Sequence, residues 1–211
     1  MDLKTKDNPC LTAHCPNTGS MKNLLTEGAE AAYIDKSQQK TKLDAGLEYI
    51  KHNNTWVCVN TMRANQIIKE ALENRTIPEF KFCAEFKKEV SCLNSKFDFC
   101  LFDKNKQPHW LEVKSVTLNQ GRKALFPDSV TTRGQKHLKD LIEISRNGGS
   151  SYMLYLIMRS DCKSFSPATD IDPDYSELLS QAKQQKVTLI AYSTKCTLSG
   201  IKLHKKLPII L

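Results

Sequence analysis

The segments KFDFCLF, residues 96–102, and HWLEVKSV, residues 109–116, decide the fold of this chain. Each is short and rich in apolar residues, and the stretch between them contains the Asp, Asn and Pro that are typical of turns. The pattern predicts an antiparallel hairpin. If the hairpin is symmetric about Asn105, Asp98 lies directly opposite Glu112, because each is seven residues from that centre.

A hairpin of this register gathers three charged side chains on one face. Facing residues of an antiparallel pair have Cβ atoms about 4.5–5.5 Å apart. Lys114 shares the face of Glu112, because side chains alternate along a strand. The interleaved residues are apolar and are expected to enter the core from the other face; they are Phe97, Phe99, Leu101, Leu111 and Val113.

Two facing carboxylates and an ammonium group suit a Mg²⁺ (or Mn²⁺) site. The carboxylates of Asp98 and Glu112 repel each other unless a proton or a cation lies between them. Mg²⁺ is commonly held by one or two carboxylates together with water and substrate phosphate. The backbone carbonyl of Val113 can add an oxygen ligand, and Lys114 can orient or deprotonate the attacking water. The alternative is a plain ion-pair network, since a Glu-x-Lys tripeptide by itself is very common.

A second basic cluster follows the hairpin, at the predicted start of a helix. Arg133, Gln135 and Lys136 fall on its first turn, where free N–H groups and the helix dipole attract anions. If this helix abuts the carboxylates, the cluster forms a phosphate clamp; otherwise its charges face solvent. His137 follows as a further phosphate-binding candidate, and it is also a candidate general acid or metal-shell group, although a hydrogen-bonded surface histidine is the favoured interpretation. Glu70, on an earlier helix, is a weaker carboxylate candidate.

The predicted elements change character along the chain. The first fifty or so residues alternate turn-forming and short apolar stretches, as in a small β-domain, and we place a domain boundary between residues 54 and 55. Beyond it we predict an α/β domain with helices packed on a mixed sheet. Its predicted elements are a strand from Thr55, a helix over 62–74, strands at Glu85–Cys92, Lys96–Phe102 and His109–Val116, a long polar connection between Leu118 and Thr132, a helix over Gly134–Asn147, a strand over 151–159, a helix from Asp172 to about Gln185, and a strand over 187–193.

The charge distribution favours a polyanionic partner. The formal net charge is +8, and residues 1–80 hold 10 Lys and Arg against 10 Asp and Glu, so the excess lies wholly in residues 81–211. A localised basic excess suits nucleic acid, because each neutralised phosphate releases condensed counterions. A solvated basic surface is the alternative.

Composition argues against several other classes of protein. No apolar run reaches the roughly eighteen residues that a membrane helix needs, and the polar N-terminus predicts neither a signal nor a transit peptide. We therefore expect a cytoplasmic protein. The eight cysteines show no C-x2-C spacing and several lie in apolar runs, which favours core residues or free thiols over structural zinc. There is no glycine-rich nucleotide loop that would support a metabolic enzyme.

Several stretches together resemble the sugar fermentation stimulation protein A (SfsA) family. They occur in order and at matching spacings through nearly the whole chain, and they are far more specific than Glu-x-Lys alone. The stretches are His14–Met21 (HCPNTGSM), Val59–Thr61, Leu111–Thr117, Phe126–Val130 (FPDSV), Thr132–Leu138, and Phe165–Ala168 near Ile171–Pro173.

The resemblance implies an N-terminal OB-fold β-barrel domain over residues 1–54 and a PD-(D/E)XK nuclease-like mixed-sheet α/β domain over residues 55–211. The catalytic positions of that fold fall on Asp98, Glu112 and Lys114. Membership implies DNA binding with little sequence preference, mainly through backbone phosphates, and a regulatory link to sugar, notably maltose, utilisation. A non-catalytic DNA-binding regulator that keeps the fold is the alternative to a Mg²⁺-dependent nuclease.

Two departures from the family pattern bear on DNA contact. Lys96 stands where the family has Arg; it keeps the charge for a phosphate contact but loses the bidentate fork of Arg. The family also carries an Arg-rich segment before the region matched by residues 1–14. We therefore expect an OB barrel that lacks its opening strand, with a misplaced start site as a cause.

Overall fold

The structure is a computed structural model, and it describes residues 1–5 and 10–211. Across these residues, the strands form three sheets, and the helices pack on the largest sheet. The elements are β1 (Asp2–Leu3), β2 (Leu11–His14), β3 (Ala31–Asp35), β4 (Ala45–His52), β5 (Thr55–Cys58), α1 (Met62–Glu73), β6 (Glu85–Cys92), β7 (Ser95–Phe102), β8 (Pro108–Val116), β9 (Asn119–Gln120), β10 (Lys123–Phe126), α2 (Thr132–Arg146), β11 (Ser150–Ile157), β12 (Ser164–Pro167), α3 (Pro173–Gln184), β13 (Thr188–Thr197) and β14 (Gly200–Lys206).

The N-terminal sheet contains the first five strands, in the order β1-β2-β4-β3, with β5 also paired to β4. β2 and β4 run parallel, and the other pairs are antiparallel. β4 holds the sheet together, because it pairs with three strands and its first six residues are buried. The small apolar core of this sheet consists of Ala13, Met21, Leu24, Ala45, Leu47, Ile50, Val57 and Val59. The small β-domain expected at this end of the chain is therefore present.

The C-terminal sheet has six strands in the order β14-β13-β11-β8-β7-β6. β11 is parallel to both β8 and β13, whereas the outer pairs are antiparallel. Alternate residues of β11 enter two cores: Leu154 and Leu156 pack with α1, and Met153, Tyr155 and Ile157 pack with α2 and α3. The predicted mixed sheet and its fully buried strand are confirmed.

Local sequence signals set the ends of the helices. The Thr131 hydroxyl accepts a backbone N–H at 3.1 Å and caps α2, and the Asp172 carboxylate does the same at 2.9 Å for α3, which begins with Pro173. α2 ends before Gly148, whose φ of 82° lies in the left-handed region that favours glycine. The hairpin strands and these helices agree with the predicted bounds to within two residues at each end.

The segment Leu118–Thr132 is not the long polar connection that the sequence predicts. β9 and β10 form a short hairpin there, and β10 pairs in parallel with β12 to give a third sheet of order β12-β10-β9. Leu118 and Ala124 are buried. The prediction failed because the pairing partner of β10 lies far along the chain, beyond α2 and β11, while polar residues dominate the local composition.

The strand at Thr55 belongs to the N-terminal sheet rather than to the C-terminal one, because β5 is hydrogen-bonded to β4. The division of the chain at residues 54 and 55 itself stays a prediction. The two sheets share a core: Tyr49 and Cys58 pack in the same apolar cluster as α1, β8 and β11, and the Cys58 amide donates to the Met158 carbonyl at 3.0 Å. Such a junction resembles a domain interior, so both sheets are expected to unfold together.

Two further features concern the helices and the cysteines of the chain. No helix within residues 1–5 and 10–211 is long and apolar enough to span a membrane. Several cysteines are buried in the cores, as expected for small apolar side chains; they are Cys58, Cys83, Cys100, Cys162 and Cys196.

Replacing Tyr49 with Ala is expected to lower the free energy of unfolding by about 3 kcal/mol, because the ring is 6% exposed in the shared core. Chemical denaturation followed by far-UV circular dichroism and by tryptophan fluorescence should give one transition for both signals. Tyr33→Ala is the control; Tyr33 is 40% exposed on β3 and should contribute less than about 1 kcal/mol. Two separate transitions in the unmodified protein would contradict the shared core.

Candidate metal-binding and catalytic site

β7 and β8 meet in the register that the symmetry of the hairpin predicts. Phe99 pairs with Leu111, so one further step places Asp98 opposite Glu112. The ladder of paired residues stops at that step. The Asp98 carboxylate instead accepts a hydrogen bond from the Val113 amide at 2.9 Å. Asp98 therefore lies where the two strands separate, and its side chain takes the place of a backbone acceptor.

The predicted faces of the apolar hairpin residues are confirmed except at Phe97. Phe99 and Leu101 pack in the core that includes α1. Phe97 packs in the opposite core, with its ring centroid 5.8 Å from that of Trp110 and 5.9 Å from that of His137. A regular strand places residues 97 and 99 on the same face, so β7 changes face at Asp98. Strict alternation could not predict this local departure.

Glu112 is the centre of the site and is 2% exposed. Its Oε1 atom accepts a hydrogen bond from Lys114 Nζ at 2.6 Å and contacts His137 Nδ1, which is itself 3.1 Å from Lys114 Nζ. Its Oε2 atom is buried and has no hydrogen-bond partner among the residues that the structure describes. A buried oxygen without a partner is costly, so Oε2 marks a position for a cation or a donor.

His137 is buried, and the favoured interpretation of it as a surface histidine is wrong. It is 3% exposed and points from the second turn of α2 onto Glu112. The first turn of α2 therefore lies close to the carboxylates, which the phosphate-clamp hypothesis requires. The sequence showed the helix, but it could not show which sheet residue the helix packs against.

The electrostatics of the two carboxylates differ. Burial and the nearby Glu112 carboxylate raise the pKa of Asp98 to about 6, although the Val113 amide and the Asn65 side chain oppose the shift. Burial also raises the pKa of Glu112, but the Lys114 ammonium and His137 outweigh it and hold that pKa below its usual value. The environment therefore favours ionisation of Glu112 and makes ionisation of Asp98 more costly than usual, a cost that a bound cation would relieve.

The donor set fits a hard divalent cation with an incomplete protein shell. Within residues 1–5 and 10–211, no cluster of three or more His, Cys, Asp or Glu side chains is arranged to hold a metal ion. Two carboxylates are enough for Mg²⁺, which keeps several waters when it is bound. Asp98 and Glu112 match that requirement, and the Val113 carbonyl stays a predicted ligand.

The predicted phosphate-binding side chains of α2 divide into two groups. Arg133 and Lys136 are exposed at its N-terminal end and take part in none of the ion pairs found among the described residues. Gln135 is already engaged, because its Nε2 atom donates to Asp172 at 2.9 Å and joins α2 to the cap of α3. Only the first group is free to meet a phosphate.

The remaining sequence candidates lie at the surface. Lys96 is paired with Glu89 at 2.9 Å, and both side chains are more than half exposed, so the pair contributes little. Glu70 is exposed on α1 and is not among the side chains that contact Asp98 or Glu112.

α1 contributes one residue to the site that the sequence did not reveal. Asn65 donates a hydrogen bond to Asp98 Oδ1 at 2.7 Å. It is half-buried at the edge of the apolar face formed by Ala64 and Ile68. A polar residue at the edge of such a face is a weak signal, because many of these residues contact only solvent.

Two of the stretches singled out in the sequence, HCPNTGSM and FPDSV, meet each other. The Met21 amide donates to Asp128 Oδ2 at 3.1 Å. At the other end of the first stretch, the Thr61 hydroxyl donates to the Pro16 carbonyl at 3.0 Å. The stretch therefore runs between the N-terminal ends of α1 and α2, the two helices that carry residues to the carboxylates.

Known proteins match nearly the whole chain. The family model of the SfsA N-terminal OB domain matches residues 1–59, and that of the sugar fermentation stimulation protein RE domain matches residues 62–200. A sugar fermentation stimulation protein homolog of Desulfotalea psychrophila is 37% identical over 210 residues, covering 100% of this chain and 86% of the relative. The SfsA of Pyrococcus furiosus, solved in complex with Ca²⁺, superposes with a TM-score of 0.90 at 24% identity, covering 97% and 88% of the two chains. The expected fold, an OB-fold domain followed by a nuclease-like mixed-sheet α/β domain, is confirmed.

Asp98→Asn is expected to stabilise the metal-free protein at pH 7 by about 1–2 kcal/mol. A pKa raised from 3.8 to about 6 corresponds to about 3 kcal/mol, from which one lost hydrogen bond subtracts about 1 kcal/mol. Because the folded protein binds this proton more tightly than the unfolded chain, the unmodified protein loses stability as pH rises from about 4 to about 6. The gain from Asn should therefore be present above about pH 6 and absent below about pH 4.

The measurement is urea denaturation in EDTA at both ends of that range. Asp103→Asn is the control, since hydrogen bonds from Gln107 lower the pKa of this turn residue and its replacement should not stabilise the protein. A stabilisation by Asp98→Asn of equal size at low and neutral pH would contradict the proposed repulsion.

Gly19→Ala is expected to destabilise the protein by about 1–3 kcal/mol. A Cβ atom at Gly19 would lie 2.7 Å from Asp128 Oδ1 and 2.9 Å from its Cγ, so the carboxylate must move off the Met21 amide. Gly46→Ala is the matched control, because its Cβ atom would meet only the flexible end of Lys36. Thermal denaturation measures the loss of stability in each variant. Equal losses would show that the Asp128 carboxylate can move without cost, which would contradict the prediction.

Proposed function

Because this chain belongs to the sugar fermentation stimulation protein family, we propose that it binds DNA and carries a divalent-cation-dependent phosphodiesterase site of the PD-(D/E)XK nuclease type. In this proposal Asp98 and Glu112 hold the cation, which is Mg²⁺ or Mn²⁺, and the Val113 carbonyl adds a ligand. Lys114 acts on the attacking water. DNA is bound with little sequence preference.

The unpartnered Oε2 atom of Glu112 is the observation that carries the proposal. It is buried, and the charge of the same carboxylate helps to raise the pKa of Asp98 to about 6. Both features cost free energy, and both costs are relieved when a cation lies between the carboxylates. The related archaeal protein was solved in complex with Ca²⁺, a hard ion that prefers oxygen ligands. A divalent cation held here would polarise a phosphate group as a Lewis acid.

Lys114 and His137 divide the work at the other oxygen of Glu112. The Lys114 ammonium donates to Oε1, and its side chain is only 13% exposed. Because an ammonium has three N–H donors, Lys114 can hold Oε1 and still donate to a water or a phosphate oxygen. His137 contacts the same Oε1 atom. As an ammonium, Lys114 orients the attacking water and offsets the negative charge that develops on the scissile phosphate; to deprotonate that water, it must first lose one of its own protons.

DNA would be held through its phosphates at the N-terminal end of α2. Arg133 and Lys136 are exposed there, and the helix end adds free amides and the positive end of its dipole. Phosphate contacts carry no base information, which accounts for the proposed lack of sequence preference. The OB-fold domain offers a separate DNA-binding surface, since this fold binds oligonucleotides in other proteins.

A DNA-binding regulator without turnover is the second candidate. Lys114 is engaged by Glu112 and His137 rather than free, and the described residues supply two carboxylates rather than a larger cluster. These observations favour a nuclease fold kept for binding. The Desulfotalea relative is named a sugar fermentation stimulation protein homolog. For this chain we propose the regulatory role in sugar use, notably of maltose, that the sequence resemblance implies.

The deciding experiment measures cleavage and cation binding separately. In a DNA cleavage assay with Mg²⁺ or Mn²⁺, Asp98→Ala and Lys114→Ala are each expected to lower the rate by at least about 100-fold. Calorimetry with Ca²⁺ should show binding that Asp98→Ala abolishes and Lys114→Ala retains, because Lys114 is not a ligand. Lys183→Ala, an exposed residue of α3, is the control for both measurements.

The outcomes separate the candidates. Cation binding and DNA binding without cleavage would refute the nuclease and support the DNA-binding regulator without turnover. Absence of cation binding in the unmodified protein would refute the metal site.

A further inference from the structure

Three cations lie together at one end of the sheet formed by β9, β10 and β12, and we call them the sheet-end cluster: Arg122, Lys123 and Lys163. The Lys163 amide donates to the Arg122 carbonyl at 2.7 Å, and Lys123 pairs with Ser164 across the β10–β12 ladder. The three residues are therefore neighbours in space, although two belong to one hairpin and the third lies beyond β11. All three are exposed.

The sheet-end cluster is not neutralised by nearby acids. None of its members takes part in an ion pair within residues 1–5 and 10–211. Three carboxylates near the sheet are bound elsewhere. Asp161 accepts two hydrogen bonds of 2.7 Å from buried Arg159, Asp128 accepts the Met21 amide, and Asp172 caps α3. The positive charge of the cluster is thus available to a polyanion.

The N-terminal domain adds a fourth cation to this surface. Asn23 donates to the Asn119 carbonyl of β9 at 3.3 Å, and the Met21 amide donates to Asp128. Lys22, which is exposed, lies between these two contacts. The surface therefore spans the junction of the two domains.

The third sheet leads from the cluster to the proposed site. β10 rises about 3.3 Å per residue, so Lys123 and Phe126 are about 10 Å apart. The chain then reaches Thr131, the cap of α2, next to Arg133. One turn of a DNA duplex is about 34 Å long and carries a charge about every 1.7 Å. A duplex on Arg133 and Lys136 is therefore long enough to reach the cluster.

We propose that the sheet-end cluster, together with Lys22, is a second phosphate-binding surface that holds the same DNA duplex away from the catalytic residues. The inference rests on the proposed DNA binding and adds the path that the duplex takes over the protein surface. It separates two tasks: α2 places a phosphate at the carboxylates, and the sheet-end cluster supplies affinity that does not depend on the bound cation.

The test measures DNA affinity as a function of salt. A triple variant, Arg122→Gln/Lys123→Gln/Lys163→Gln, is compared with a control of the same net charge, Lys183→Gln/Lys186→Gln/Lys195→Gln, whose residues are exposed in other parts of the C-terminal domain. Fluorescence anisotropy with a labelled duplex three turns long, in Ca²⁺, gives the dissociation constants. The cluster variant should bind at least about tenfold more weakly at low salt, and its log–log salt slope should shrink by about 2–3, because each phosphate contact contributes about 0.9. The control should keep the slope of the unmodified protein.

A third variant, Arg133→Gln/Lys136→Gln, separates this inference from the proposed function. If it weakens binding while the cluster variant behaves like the charge control, DNA binding at α2 stands and the second surface is refuted. If the unmodified protein binds no duplex, both proposals fail. Unchanged melting temperatures are expected for all three variants, because every substituted side chain is exposed.

Discussion

The buried carboxylate of Glu112 is the constraint on which the rest of the site depends. Removing an ionised group from water costs several kcal/mol unless other charges and donors replace the water. Lys114 supplies the charge from the same strand, and His137 supplies a contact from α2 in the layer above. One oxygen is satisfied by these groups, and the other has no hydrogen-bond partner among the described residues. The protein thus accepts an electrostatic cost at one position, which is typical of functional sites.

The layers of the C-terminal domain hold this arrangement in place. The central strands β8 and β11 are buried between α1 on one side and α2 and α3 on the other. α1 delivers Asn65 to Asp98 from the first layer, and α2 delivers His137 to Glu112 from the second. A shift of either helix would move Asn65 or His137, the partners of the carboxylates. Close-packed cores resist such a shift. The site is therefore as rigid as the two cores.

The N-terminal domain is integrated into the same structure and is more than an appended module. β4 and β5 share an apolar cluster with α1, and the stretch that begins at His14 contacts the residues just before α1 and α2. The uncompensated cations of the third sheet lie at this junction, where composition alone indicated only a basic C-terminal half.

The local sequence specifies the hairpin, its register and the ends of the helices. All depend on residues close together in the chain: the symmetric turn about Asn105 sets the register that places Asp98 opposite Glu112, and Thr131 and Asp172 cap their own helices. Tertiary structure decided what lies against that hairpin. The burial of His137, the engagement of Gln135 and the third sheet are contacts between segments distant in the chain, which periodicity and composition do not encode. The change of face at Asp98 belongs to the same class, because Phe97 packs with Trp110 and His137 on the α2 side of the sheet, a contact that the local pattern does not show.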